Sequence, residues 1–181
     1  YTDIGFFTSD DDIGIDVQNL FQQLTGMGKV LKLKKLWQSP FTLFKNLKEA
    51  INKEITHAKD GKKAHIILKM NGLTDPALIR ELYAASCAGV KIDLIVRGMC
   101  CLRPGIKDVS ENITVRSVVG RFLEHERIYY FYDDGKEKIY CSSADWMERN
   151  LYHRVETCFP IENKNLAKQI KKECLLLYLE D

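Results

Sequence analysis

The sequence has no hydrophobic run that approaches the roughly 20 residues needed to cross a membrane, and no signal peptide is visible. It also has no Cys-x-x-Cys pair, no G-x-S-x-G elbow and no two histidines at a metal-ligand spacing. The stretch GMGK at 26–29 contains only part of the phosphate-binding G-x-x-x-x-G-K-[ST] loop. These absences argue against a membrane-spanning protein, a zinc protein, a serine hydrolase and a P-loop enzyme.

An excess of charge of one sign is also missing, because the formal net charge of the 181 residues is only +2. That value is too small to indicate a nucleic-acid-binding protein by itself. The distribution of the charges is more informative: residues 29–35 hold four lysines and no acid, and six further arginines or lysines follow Lys91 up to Arg127. With 45% hydrophobic residues, the chain can form one domain with a sizeable core.

Six cysteines are present, but their spacing does not indicate a disulfide framework. Cys100 and Cys101 are adjacent, which suits neither an ordinary disulfide pair nor a zinc site, and several of the six lie in apolar runs. We therefore expect buried, reduced thiols in a cytoplasmic protein. The chain begins at Tyr1 rather than at a methionine, in an apolar stretch, and we expect it to be a piece of a longer polypeptide.

The clearest structural pattern is a strand, a helix and a second strand within about 35 residues. An apolar strand at 64–70 precedes a helix opened by Asp75 and Pro76, and a second strand follows at 91–96. This order predicts a right-handed βαβ unit with parallel strands, and 112–119 can add a third. Further strands are expected at 4–8, 28–37 and 152–161. Helices are expected after Ser9, from Ser39-Pro40 to Gly61, and at 165–179. The predicted fold class is α/β, with a mixed β-sheet flanked by helices.

Polar residues follow the two parallel strands where each apolar run stops, and ligands bind at such carboxyl ends. Lys69 and Asn71 end the first strand, and Arg97 followed by Gly98 ends the second. An arginine beside a glycine suits an anion clamp, because glycine allows close approach of the backbone. For Lys69, a strand-edge lysine that reaches solvent is the alternative interpretation.

A hairpin predicted at 127–143 supplies the second half of a site. If Asp134-Gly135 is a two-residue turn, Arg127 lies opposite Ser142, and His125 lies beside Ser143. Side chains alternate along a strand, so His125 and Arg127 share one face. A histidine, a fixed cation and nearby hydroxyls are the groups that a phosphoryl site needs. The other three histidines are interpreted as packing or solvent contacts.

Three blocks of the sequence, RGMC at 97–100, FLEH at 122–125 and SSADWM at 142–147, carry a resemblance to a known family. With the flanking residues, from Tyr1 to the last helix, the chain resembles the C-terminal part of bacterial polyphosphate kinase. The resemblance implies a phospholipase D-like fold over 1–181. Within it, residues 1–38 form a lead-in segment and residues 39–181 the core of the domain.

The resemblance also implies an activity, the reversible transfer of the terminal phosphate of ATP to inorganic polyphosphate. The phosphorylated histidine would belong to a preceding domain, and His125 would be an accessory catalytic histidine. The implied partners are ATP or ADP, polyphosphate, the preceding domains and a second copy of the enzyme in a homo-oligomer, with no nucleic acid. Mg²⁺ would be bound mainly by the preceding domain and not by a metal site here. A cytoplasmic location with peripheral membrane association is expected. The proposed ATP or phosphate contacts are Tyr1, Lys69, Arg97, His125, Arg127 and Arg154.

Two departures from the phospholipase D pattern argue against lipid hydrolysis. Arg127 stands where that pattern has lysine, and SSAD at 142–145 replaces the glycine-serine block. Arginine keeps its charge and binds oxygens in pairs, which suits several phosphates. Two alternatives stay open: a dimeric phosphodiesterase with His125 from each chain, and a non-catalytic module that binds polyanions by charge. The chain by itself is expected to fold but not to catalyse the reaction.

Overall fold

Seven strands form one mixed sheet in the part of the chain that the computed structural model describes, residues 1–26 and 32–180. Their order across the sheet is β1-β7-β6-β5-β2-β3-β4. Strands β2, β3 and β4 are parallel, and the other neighbouring pairs are antiparallel. The predicted α/β class with a mixed sheet is confirmed. The strands are Trp37–Ser39 (β1), His65–Met70 (β2), Lys91–Val96 (β3), Ile113–Arg116 (β4), Arg127–Phe131 (β5), Lys138–Ser142 (β6) and Glu156–Pro160 (β7).

Four α-helices accompany the sheet in residues 1–26 and 32–180, and three of them begin after a residue whose side chain caps the helix, while the helix that begins at Leu43 has no side-chain cap. The Asp10 side chain accepts a hydrogen bond from the N–H of Ile13, and the Asp75 side chain accepts one from Leu78. The last helix continues into a π-helical turn and a short 3₁₀ turn. The helices are Asp11–Leu24 (α1), Leu43–Lys59 (α2), Pro76–Cys87 (α3) and Lys164–Ile170 (α4), with π-helical turns at Arg149–His153 and Lys171–Leu175 and the 3₁₀ turn at Leu176–Tyr178.

The sheet has a core on each face, because successive side chains of a strand point to opposite sides. On one face, Ile66 and Leu68 of β2 pack with the buried stripe of α2 that begins at Leu43. On the other face, Ile67 packs with Leu175, which follows α4. The predicted βαβ unit β2–α3–β3 is confirmed, and β4 adds the third parallel strand. No helix in residues 1–26 and 32–180 has the length and apolar character needed to span a bilayer.

Three local predictions were wrong or reach outside the described residues. Residues 4–8 form no strand, and the first residues are held by a bridge between Thr2 and Glu124. Ser39 does not cap α2: it ends β1, its hydroxyl donates to the carbonyl of Asn150, and α2 begins three residues after Pro40. The predicted strand at 28–37 lies partly outside the described residues, as does most of GMGK, and 32–36 are not strand.

The hairpin between β5 and β6 has the predicted register but not the predicted turn. Arg127 lies opposite Ser142, as expected, and the pairing ends at Phe131 and Lys138. The connection is a 3₁₀ turn at Asp133–Gly135 in place of a two-residue turn. The six cysteines are unpaired; two are buried, Cys141 and Cys158, while Cys87 and Cys101 are exposed, so only part of the expected burial of the thiols is found.

Candidate functional site

The candidate site lies at the edge of the sheet where β2 and β3 end and β5 begins. Because β5 is antiparallel to β2, with Ile128 opposite Lys69, the start of β5 reaches the carboxyl ends of the parallel strands. This topology brings His125 and Arg127 to the edge where ligands bind in α/β sheets. The convergence predicted from the hairpin is therefore present in the structure.

Asp145 is the buried carboxylate that organises this edge. Its Oδ2 accepts from Nη2 of Arg127 at 3.0 Å, and its Oδ1 lies 3.3 Å from Nε of the same guanidinium. Oδ1 also accepts the backbone N–H groups of Asn71 at 2.7 Å and Gly72 at 3.2 Å. The side chain of Asp145 is 7% exposed, so the carboxylate is balanced by one cation and two N–H donors. These contacts fix the direction of Arg127.

His125 is held between the first residues of the chain and Arg127. Its Nδ1 lies 2.8 Å from Oδ2 of Asp3, and Nη1 of Arg127 donates to the carbonyl of His125 at 2.9 Å and lies 3.2 Å from Nε2. The ring of Tyr1 meets the imidazole edge-on, with centroids 5.0 Å apart. The imidazole side chain is 34% exposed, so it remains accessible to a ligand. Tyr1, Asp3, His125, Arg127 and Asp145 are called the His125 cluster below.

The contacts of Asp3 with its neighbours lower the pKa of its carboxyl group. Burial alone would raise the pKa of Asp3, but hydrogen bonds from His125 and the Ile4 N–H, with the positive charges of His125 and Arg127, outweigh it and lower that pKa. Asp3 is therefore ionised near neutral pH. An ionised carboxylate on Nδ1 orients the imidazole, whose other nitrogen, Nε2, lies 3.2 Å from Nη1 of Arg127.

A cleft of about 220 Å³ opens beside His125 and Arg127. Ser142 and Ser143 line it, but their hydroxyls are used within the protein: Ser142 donates to the carbonyl of Thr157, and Ser143 donates to Glu156 at 2.5 Å. The two hydroxyls lie at the site, as expected. Both, however, donate their hydrogen bonds to other groups of the protein.

Lys69 is not brought to the surface of this cleft. Its side chain is 3% exposed, and its Nζ lies 2.8 Å from Glu124 and 2.6 Å from Glu126. Burial opposes the charge of Lys69, but the hydrogen bonds that its ammonium donates to the two carboxylates outweigh it and raise the pKa of the lysine. The ammonium also lies 3.8 Å from the ring centre of Tyr178. Phosphate binding by Lys69 stays a prediction, and this burial argues against it.

Arg97 contacts the segment that carries the histidine. Its Nη1 donates to the carbonyl of Glu124 at 2.6 Å. The neighbouring Gly98 is required by close packing, since a Cβ there would lie 2.9 Å from the carbonyl oxygen of Asn71. Arg97 therefore lies at the same edge of the sheet as His125, because the residue that it contacts, Glu124, directly precedes the histidine. The close approach at Gly98 is to the backbone of Asn71, and an anion clamp formed by Arg97 beside Gly98 stays a prediction.

Of the remaining predicted residues, Tyr1 joins the His125 cluster and Arg154 does not. Arg154 is exposed at the start of the segment that leads into β7, outside the lining of the cleft. Two members of the cluster were missed, Asp3 and Asp145. Asp145 could have been found, because it is the acid of the SSAD block that replaces the phospholipase D pattern. No periodicity in the sequence points to Asp3, whose partner His125 is 122 residues away.

A family profile described as "Polyphosphate kinase C-terminal domain 2" matches residues 36–181 of this chain. The chain belongs to the polyphosphate kinase family. It is 62% identical over 181 residues to a polyphosphate kinase of Pseudomonas aeruginosa, and 60% identical over 181 residues to one of Paraburkholderia phytofirmans. All of the chain is covered in both comparisons, but it spans only about a quarter, 26%, of the length of these relatives.

Solved structures agree with this family and with the predicted fold. The polyphosphate kinase from Porphyromonas gingivalis matches with a TM-score of 0.89 and 44% identity, over 91% of this chain and 25% of that chain. Nuc from Salmonella typhimurium, a phospholipase D family member, matches with a TM-score of 0.55 and 15% identity, over 76% of this chain and 88% of its own. The second likeness concerns the fold alone and confirms the phospholipase D-like prediction.

The described part of this chain does not offer a donor set that fits a resident Mg²⁺. Asp145 is bound to Arg127 and to two N–H groups, and the carboxylates of Glu124 and Glu126 are bound to Lys69. Among the described residues, no group of three or more histidine, cysteine, aspartate or glutamate side chains could hold a metal ion. No step that follows is assigned to a metal bound by this chain.

Proposed function

We propose that this chain supplies one half of the phosphoryl-transfer site of a polyphosphate kinase, with His125 as the accessory histidine. In the full enzyme, the terminal phosphoryl group of ATP would pass to a histidine outside this chain, with ADP as the leaving group. It would then pass to the terminal oxygen of inorganic polyphosphate. The observation that carries the proposal is the His125 cluster, in which a half-exposed imidazole lies beside a fixed guanidinium in an open cleft.

The roles of the residues follow from their contacts. Arg127, fixed by Asp145, would neutralise charge on the phosphate oxygens, and phosphoryl transfer depends mainly on such positioning and charge stabilisation. His125, oriented by Asp3, would exchange a proton with the phosphate or the leaving group through Nε2. Tyr1 and Arg97 lie beside the same segment and are proposed as nucleotide and phosphate contacts. Arg154 remains a further proposed contact.

The partners and conditions of the whole enzyme belong to the same proposal. ATP or ADP, polyphosphate, the preceding domains and a second copy of the enzyme are the proposed partners, and Mg²⁺ would be held by the preceding domain. A cytoplasmic enzyme with peripheral membrane association is the proposed location. Because the phosphorylated histidine would lie elsewhere, the 181-residue chain alone should show no turnover of ATP into polyphosphate. Measurable turnover by this chain would contradict the two-domain site.

The test is His125→Ala in a full-length polyphosphate kinase that carries this sequence, with His57→Ala as the matched control. His57 lies at the other end of the sheet, 3.4 Å from Asp133. Loss of a proton-transfer group lowers kcat by about a hundredfold or more, so we expect that loss for His125→Ala and activity near that of the unchanged enzyme for His57→Ala. Equal losses at both positions, at equal thermal stability, would reject the assignment.

Binding by the isolated chain separates the alternatives. Calorimetric titration with ATP and with polyphosphate should show binding that Arg97→Ala and His125→Ala both weaken. Binding that ignores both substitutions and falls steeply with salt would support the non-catalytic polyanion module. Hydrolysis of a phosphodiester by the isolated chain would support the dimeric phosphodiesterase.

A further inference from the structure

A lysine-rich groove lies at the end of the sheet opposite the His125 cluster. The strand β5 starts two residues after His125 and runs to Phe131, and the turn after it forms one wall of the groove. The five residues of β5, at about 3.3 Å each, separate the His125 cluster from the groove by roughly 15 Å. The groove has a volume of about 840 Å³, and α4 with its π-helical turn forms the second wall. Its lysines are Lys136, Lys138, Lys164, Lys168, Lys171 and Lys172.

The groove continues into a neighbouring cleft of about 430 Å³. The two share Lys136, Lys138 and Lys164, and the second adds Lys34 and Lys35. Of the residues that the structure describes, eight lysines thus line one continuous surface whose lining includes two acids, Glu137 and Glu162. The formal net charge of the whole chain is only +2, so this surface concentrates positive charge that the rest of the molecule balances.

Most of the lysines in the groove form no ion pair with another described residue. The exceptions are Lys171, which pairs with Glu137, and Lys34 and Lys35 in the second cleft, which pair with acids near α1 and after β7. Like charges at this density repel each other, so an anion that neutralises several of them is bound favourably. Five exposed lysines make no ion pair within residues 1–26 and 32–180: Lys136, Lys138, Lys164, Lys168 and Lys172.

The two walls of the groove are fastened to each other. Lys171 contacts the carboxylate of Glu137, and its Nζ lies 3.3 Å from the hydroxyl of Tyr130 and 4.8 Å from the centre of that ring. Hydrogen bonding by Lys171 is the main cause that lowers the pKa of Glu137, against the effect of burial, so the contact is ionic near neutral pH. The unpaired lysines are therefore presented by a turn and a helix whose relative position is fixed.

We propose that this groove binds a stretch of inorganic polyphosphate away from the His125 cluster. The proposal rests on the proposed function, because it takes polyphosphate as the polymer that the enzyme handles. Lysine ammonium groups act as point charges that suit successive phosphates without a fixed geometry. Among the described residues, no aromatic side chain lines the larger cleft, whereas Trp37 and Tyr140 line the second, so the groove itself lacks the stacking surface that single-stranded nucleic acids use.

The groove would act by raising the effective concentration of the polymer at the reacting end. A chain that is bound at the groove and released from His125 stays attached, and rebinding becomes an intramolecular event. Only a polymer long enough to span roughly 15 Å of strand could use both places. Long polyphosphate should therefore depend on the groove, whereas ATP and short phosphates should not.

The experiment compares two triple variants of the 181-residue chain. Lys136→Glu/Lys168→Glu/Lys172→Glu reverses three charges in the groove. The control, Lys53→Glu/Lys59→Glu/Lys107→Glu, makes the same change of net charge at three exposed lysines that line neither lysine cleft. Circular dichroism confirms folding, and fluorescence anisotropy measures binding of labelled polyphosphate of about 100 phosphates. Removing three phosphate contacts predicts binding weaker by about tenfold or more, with a shallower salt dependence.

The control triple should bind polyphosphate within about twofold of the unchanged chain, and tripolyphosphate binding should be the same for all three proteins.

Equal losses in both triples, or no binding by the unchanged chain, would overturn the proposal. If the groove triple binds normally while His125→Ala does not, the groove is rejected and the proposed function stands. If the groove triple loses binding while His125→Ala has no effect in the full enzyme, the groove stands and the proposed function fails. A single-stranded DNA of equal charge that binds as tightly, with the same loss, would also overturn it.

Discussion

The guanidinium of Arg127 and the carboxylate of Asp145 face each other in two contacts, at 3.0 and 3.3 Å, beneath the imidazole of His125. Both side chains are largely buried, with exposed fractions of 13% and 7%. Asp145 also accepts two backbone N–H groups at the end of β2. One carboxylate therefore joins the end of a parallel strand to the cation at the start of an antiparallel one.

We expect Asp145→Asn to destabilise the chain by about 3 kcal/mol, because the buried guanidinium loses its counter-charge. Asp60→Asn is the matched control, since Asp60 is exposed and makes no ion pair with the described residues; it should change the free energy of unfolding by less than about 0.5 kcal/mol. Urea unfolding measures both variants. Equal effects at the two positions would show that the Arg127–Asp145 contact contributes little.

Lys69 lies between Glu124 and Glu126, and its loss should be costly. Lys69→Met keeps an apolar stem but leaves the buried Glu126 and the half-buried Glu124 without their cation, for an expected destabilisation of about 3–5 kcal/mol. Lys53→Met, at an exposed position, should have a negligible effect. The measurement is the denaturant midpoint of each variant. A variant at position 69 that is as stable as the unchanged chain would mean that Glu124 and Glu126 are neutral or solvated.

Two glycines should respond to alanine in opposite directions. Gly98→Ala places a Cβ 2.9 Å from the carbonyl oxygen of Asn71, a backbone atom, and should destabilise the chain by about 1–3 kcal/mol. Gly14 lies inside α1 with nothing within 4 Å of its Cβ position, so Gly14→Ala should stabilise by about 0.5–1 kcal/mol. Thermal melts test the pair. A stabilising Gly98→Ala would show that the ends of β2 and β3 can separate without cost.

Stability should fall in acid through Asp93. Burial would raise the pKa of Asp93, but hydrogen bonds from His65 and Thr114 and the charges of Lys91 and His65 outweigh it and lower the pKa from 3.8 to about 2. Because the folded-state pKa is lowered, the stabilisation that ionised Asp93 contributes is fully present above pH 3.8 and is lost as the pH falls toward about 2. The contribution is roughly 2 kcal/mol.

Asp93→Asn should therefore lower the free energy of unfolding at neutral pH and flatten its dependence between pH 3.8 and about 2. Chemical unfolding at a series of pH values gives both quantities. Asp11→Asn serves as the control, because Asp11 is exposed in the first turn of α1. A control with the same flattening would assign the acid transition to general charge repulsion.

Local patterns were sufficient for the parts of the fold that short-range chemistry decides. Asp75 followed by Pro76 opens α3, and the alternation of the β5–β6 hairpin predicts that Arg127 faces Ser142. The turn itself was predicted wrongly, since Asp133 and Asp134 both adopt positive φ in a 3₁₀ turn. The N–H of Asp133 is also bound by Glu54, a residue far away in sequence that no local pattern could reveal.

By itself, the sequence determined the α/β class, the parallel βαβ unit and the strand ends that carry His125, Arg127 and Arg97, because periodicity and capping act over a few residues. Only the tertiary structure decided which charges meet. Asp3 reaches His125 across 122 residues, and Tyr178 closes over Lys69 and reaches Glu124. The buried ammonium of Lys69 must find partners once the core has folded, and the exposed Asp3 meets His125 because the fold brings the first residues of the chain beside it. In both cases the partner is chosen by proximity in space rather than by distance along the chain.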